Sequence, residues 1–178
     1  MGRALQEQGM LDQALEKHEE SLRVRLSVLG RQHARVATSM RNIGVCLRQK
    51  GQYAEAMARL EEALDVCKSI LGGEHVEVAE TLDYMADVHR AEGRHADALR
   101  ECEESLRIRR KALGREHVDC DASLYDMALV KEQLGDTSGA LADLRECLEI
   151  CGRAFGDAHE RTAKRREAIA RLEGAGGA

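Results

Sequence analysis

Four histidines, His33, His75, His117 and His159, stand 42 residues apart. The same step separates Gly9, Gly51, Gly93 and Gly135, and it separates Ala14, Ala56, Ala98 and Ala140. Leu29-Gly30, Leu71-Gly72, Leu113-Gly114 and Phe155-Gly156 keep it too. Laid without gaps over 75–116, segment 33–74 matches at 13 of 42 positions. Landmarks held in register along a whole chain mean that one small structural unit is written several times. Such a unit cannot bury its apolar face alone, so each copy must lean on the next.

Within a unit the apolar spacing is helical. Val36, Met40, Ile43, Gly44 and Leu47 recur at steps of three and four, which is one face of an α-helix. Gly51 supplies the stop that helices favour. Ala56, Leu60, Ala63, Leu64 and Leu71 form the stripe of a second helix, which ends at Leu71-Gly72. Composition agrees with thin layers: 33% of residues are charged, one is Phe, three are Tyr and none is Trp. No proline interrupts the helices. Small residues at equivalent places, Gly44, Ala86 and Ala128 in first helices and Ala56, Ala98 and Ala140 in second helices, predict axes as close as about 8 Å.

The run Met40…Ile43-Gly44…Leu47…Gly51…Tyr53…Ala56…Leu60…Ala63 resembles the tetratricopeptide pattern. The longer period, with Val-Ala opening the first helix and Leu-Gly-x-x-His closing the second, is similar to the kinesin light chain subclass. The resemblance runs over about 1–172. It departs from that subclass at Ala34, Val76, Val118 and Glu160, where the family carries proline. It departs again at Arg41-Asn42, Asp83-Tyr84 and Tyr125-Asp126, where paired asparagines are usual. The resemblance implies an all-α, right-handed solenoid of helix-turn-helix repeats: a half repeat, three full repeats and a C-terminal capping helix. The expected units are 1–32, 33–74, 75–116 and 117–158, then a cap over 159–173 and a tail over 174–178. Arg166 and Glu173 stand where earlier units place apolar residues, as a water-facing cap requires.

The family resemblance also implies that first helices line a concave surface that holds a protein or peptide partner. In unit two that lining comprises Thr38, Arg41, Asn42, Val45, Arg48 and Gln49. In unit three it comprises Glu80, Asp83, Tyr84, Asp87 and Arg90. Unit four contributes Ala122, Tyr125, Asp126, Leu129, Glu132 and Gln133. The acids of units three and four suit a partner segment with basic residues. The alternative is an assembly element that self-associates, or docks onto further repeats, through an apolar N-terminal edge at Gly2, Leu5, Leu11 and Leu15.

Other function classes find little support. The net charge of −5 has both signs interspersed, with neither the basic stripe of a nucleic-acid binder nor a polybasic membrane patch. No apolar run approaches the roughly 18 to 20 residues of a spanning helix. The segment 1–8 turns polar too early for a secretory signal, so a cytoplasmic location is expected.

No metal or other cofactor is expected. Residues one repeat apart lie on the order of 15 to 20 Å apart, too far for the four histidines to share an ion. They are expected to accept backbone hydrogen bonds at helix starts instead. Six cysteines form no Cys-x-x-Cys pair. Cys46, Cys102, Cys120 and Cys147 align with apolar residues. Cys67 and Cys151 align with Arg25 and Arg109 and are expected to be partly accessible. Cys147 and Cys151 share a helix face, a remote option for metal or redox chemistry. No nucleophile with its base and no phosphate loop appears, so no enzyme is expected.

Overall fold

The structure, a computed structural model, describes residues 9–175. Eight helices make up that region: α1 (Leu11–Leu29), α2 (Ala34–Gln49), α3 (Tyr53–Leu71), α4 (Val76–Ala91), α5 (His95–Leu113), α6 (Cys120–Gln133), α7 (Thr137–Phe155) and α8 (Glu160–Ala175). No strand occurs among the described residues. The pairs α2/α3, α4/α5 and α6/α7 are the full repeats. Each second helix also packs on the first helix of the next repeat. The first helices α2, α4 and α6 touch one another as well, which makes them the inner layer of the stack. The half helix expected over 1–8 lies outside the described residues.

Helix ends follow from the landmark residues. His33 Nδ1 accepts the Arg35 N–H at 3.1 Å, and His75, His117 and His159 accept from Glu77, Asp119 and Arg161 at 3.1–3.2 Å. The repeated histidine is therefore a cap that satisfies a donor the helix leaves orphaned. At the other end, Gly51 adopts φ 77° while Gln52 N–H donates back to Leu47 O at 2.9 Å. This closure needs a left-handed residue, which glycine supplies without a Cβ penalty.

The core is a chain of seams rather than one mass. Ala14, Ala56, Ala98 and Ala140 are fully buried, as are Leu60, Cys102 and Leu144 that lie one turn on. Backbones approach closely here: a Cβ built on Gly44 would meet Leu60 Cγ at 2.8 Å. The N-terminal edge differs from the expectation. Leu11 and Leu15 are half-buried, Leu15 packing on the core, while Val24 and Val28 of α1 are the exposed apolar residues. Gly2 and Leu5 lie outside the described residues.

The cap is polar in the manner expected. Arg166 is exposed and donates to Asp157, and Glu173 is exposed and accepts from Arg145 at 2.9 Å. Helix α8 runs two residues past its expected end, through Gly174 and Ala175; 176–178 lie outside the described residues.

The cysteines require a correction. All six are buried, Cys67 and Cys151 included. Their position in the repeat faces the first helix of the next unit. The arginines that share it reach the same way: Arg25 donates to Ser39 Oγ at 2.7 Å, and Arg109 is buried. Equivalence to arginine therefore signalled a junction, not a surface. Burial pushes the Cys46 and Cys151 thiols up to about 11, and thiolates are the reactive form.

Two outcomes follow from this packing. Ala98→Leu should overpack the α4/α5 seam and cost about 1 to 3 kcal/mol in denaturant unfolding. Titration of the native protein with a chromogenic disulfide should find no fast-reacting thiol, and unfolding should release all six.

Candidate functional site

The predicted lining residues all belong to the inner helices α2, α4 and α6, but the fold uses them very differently. Arg41 is buried, and its guanidinium bridges from α2 to α4, reaching Glu77 Oε2 at 2.7 Å and Glu80 Oε2 at 2.8 Å. It also donates to the Glu77 carbonyl at 3.2 Å. Arg48 approaches Asp87 Oδ2 at 3.3 Å, and Arg90 holds the other oxygen of that carboxylate at 2.7 Å. Asp83 receives Arg109 of α5 at 2.5 Å and the Ser123 hydroxyl of α6 at 3.3 Å. Glu132 accepts from Arg171 of α8.

Arg41 and Asp83 are thus structural ion pairs between helices. Removing one partner of such a pair leaves a buried charge uncompensated, typically at 3 to 5 kcal/mol. Charge reversal at Asp83 would test the fold and not a binding site. Asn42, Val45, Tyr84, Leu129 and Asp126 are half-buried on the inner face, while Gln49, Ala122 and Gln133 are exposed. Thr38 turns its hydroxyl back to Ala34 O at 3.0 Å.

Asp126 is the exception among the predicted acids: no hydrogen bond or ion pair holds it. Burial pushes its carboxyl up from the ordinary 3.8 to about 7, with repulsion from Asp83 and Asp87 adding to the shift and Arg90 and Arg109 opposing it. A carboxylate deprived of water and set beside two others resists ionising.

Several participants escaped the sequence reading. Arg109 comes from a second helix yet reaches the inner layer. Helix α8 extends the lining with Lys164, Arg165 and Arg171. Lys164 occupies the register of Thr38 and Glu80, and Arg171 that of Val45 and Asp87, so the 42-residue step itself marks them. Arg165 is buried, grips both oxygens of the fully buried Asp121 at 2.9 Å, and lies 3.6 Å over the Tyr125 ring. Tyr125 is therefore partly engaged as a platform for a cation already in the chain. Among the described residues, no three His, Cys, Asp or Glu converge as a metal site would need. No described helix is long and apolar enough to cross a membrane.

The Asp126 environment has a measurable consequence. A carboxyl with a raised folded pKa binds its proton more tightly in the folded state. Stability then falls as pH rises from about 3.8 to about 7, and the loss is complete above that window. Asp126→Asn should raise Tm at pH 8, by about 2 to 4 °C for each kcal/mol recovered, and change it little at pH 4. Thermal melts at the two pH values check this.

The repeat family profile described as tetratricopeptide repeat matches residues 1–69, 43–111 and 77–153. No curated protein matches the chain. Among solved structures, a kinesin light chain-type protein of Podosopora anserina with nearly identical TPR-like repeats aligns with TM-score 0.80 at 23% identity, over 99% of this chain and 83% of that one. BtubC (BKLC) from P. vanneervenii aligns with TM-score 0.75 at 20% identity, over 89% of this chain and 63% of that one. The N-terminal domain of stress-induced protein-1 from C. elegans aligns with TM-score 0.58 at 14% identity, over 79% and 96%. These similarities show the shared fold. With its profile matches spanning most of the sequence and its eight helices stacked in pairs, the chain belongs to the tetratricopeptide repeat family.

Proposed function

We propose that the chain is a non-catalytic interaction module that holds an extended or helical segment of a protein partner along the inner face of α2, α4 and α6, with a basic side chain of that segment opposite Asp126. The family supports the coarser half of this reading, because tetratricopeptide repeats mediate contacts between proteins. The finer half rests on Asp126. Glu80, Asp83, Asp87 and Glu132 already hold arginines of the chain, whereas Asp126 holds none. A lysine or arginine arriving beside Asp126 would relieve the repulsion from Asp83 and Asp87. Such charge matching governs selectivity and association rate more than raw affinity.

The surroundings of Asp126 suit an anchor. Tyr125 is its neighbour in sequence and Leu129 lies one turn along the same helix; both are half-buried. A lysine stem could pack on them while its ammonium meets the carboxylate. The reading leaves no task for a nucleophile: the cysteines are core residues and the repeated histidines are helix caps.

Random peptides displayed on phage and selected on the immobilised protein should be enriched in Lys and Arg. Asp126→Asn should then weaken the selected peptides by about tenfold, equivalent to about 1.4 kcal/mol, and flatten their salt dependence. Glu103→Gln on the exposed side of α5 should do neither. A selection without basic enrichment, or one indifferent to Asp126→Asn, rejects the reading.

A further inference from the structure

The seam between the two helices of a repeat is closed three times in this chain and open once. In α3, α5 and α7 the equivalent residues Val66, Ile108 and Ile150 are 3%, 1% and 4% exposed. Ile108 clusters with Val78, Ala79 and Leu82, and Ile150 with Cys120 and Leu124. The cover in each case is the N-terminal half of the first helix of the same repeat. The corresponding residue of α1 is Val24, which is 58% exposed, and one turn further Val28 is 74% exposed. Ser21 is half-buried, although its counterparts Ala63, Ser105 and Cys147 are fully buried.

The polar groups around this face are already engaged. Lys17 binds Glu20 at 2.8 Å, and Arg25 donates to Arg35 O at 2.9 Å and to Ser39 Oγ at 2.7 Å. What remains unmatched is apolar, a pair of β-branched side chains at i and i+4 on one helical stripe. The repeats state what fits there, since three copies of the same surface are shown with their cover in place.

We propose that this face of α1 docks the N-terminal half of a first-helix segment from a partner polypeptide, an amphipathic stretch with apolar residues at i, i+1 and i+4. Val36-Ala37 with Met40, and Val78-Ala79 with Leu82, are the forms of that stripe written in this chain. A second copy does not supply it through its own exposed first helix. In α8 the same register reads Thr162, Ala163 and Arg166, and Arg166 is held by Asp157. The site is separate from the inner face around Asp126, so its failure would leave that reading standing.

The probe is a synthetic peptide with the sequence of residues 33–50, titrated into the full chain carrying labelled valine and leucine methyl groups. A lone peptide of this length is barely helical in water, so its helix forms on docking. The Val24 and Val28 methyl resonances should shift and saturate. Val24→Asp should weaken binding by about tenfold or more, as for a residue at the centre of a contact, and leave the thermal melt of the protein unchanged because the side chain is exposed. A peptide with Val36→Glu and Met40→Glu should not bind. The proposal is overturned by absence of shifts at millimolar peptide, or by binding that survives Val24→Asp or the broken stripe. It is equally overturned by shifts that follow protein concentration without peptide, which would mark a second copy as the occupant.

Discussion

Close approach of two helices along a line of small residues governs this molecule. Where Ala56, Ala98 and Ala140 let the second helix settle onto the first, a pair only two helices thick can still exclude water from its seam. Dispersion and burial act through short side chains here, and the near absence of aromatic residues follows from that geometry. A thicker core would need larger side chains to fill it. The histidine caps and the left-handed glycines keep the pairs in step, because each fixes where a helix begins or ends and hence which residues face the seam.

Between repeats the rule changes. Each junction buries or half-buries an arginine, but the arginine comes from a different place each time. Arg25 of α1 reaches Ser39; Arg41 of α2 reaches Glu77 and Glu80; Arg109 of α5 reaches Asp83 and Ser123; Arg165 of α8 reaches Asp121. Buried ion pairs contribute little net stability beside apolar packing of equal volume, since desolvation offsets most of the attraction. Their value lies in discrimination, because a mismatched neighbour would strand a charge.

This division explains what could be read in advance. Positions that recur at each step, such as the His33 series, the Gly51 series and the Ala56 series, were legible because repetition itself identifies a shared structural task. Positions that break the step were harder. Asp121 stands where Ala37, Ala79 and Ala163 stand, and Arg165 stands where Ser39, Thr81 and Ser123 stand. Each looks like a stray charge until the fold shows that the two neutralise each other. Cys67 and Cys151 misled for a related reason: they alternate with Arg25 and Arg109, and arginine suggests water unless a junction is known to lie there. The inner face was legible as a surface, but the sequence pattern does not tell which of its charges are consumed by neighbours. Arg41 and Asp83 are consumed, and Asp126 is not.

The ion pair at the last junction carries a genetic consequence. Tandem repeats of equal length invite unequal recombination, and excising residues 117–158 would keep every remaining helix, cap and glycine in phase. Helix α8 would then follow α5 directly, and Arg165 would fall where Ser123 now accepts from Arg109. Two guanidiniums would meet in a dry junction with Asp121 gone. The repeats are alike in outline and are not interchangeable parts, so the order of the units is protected by the charges they bury.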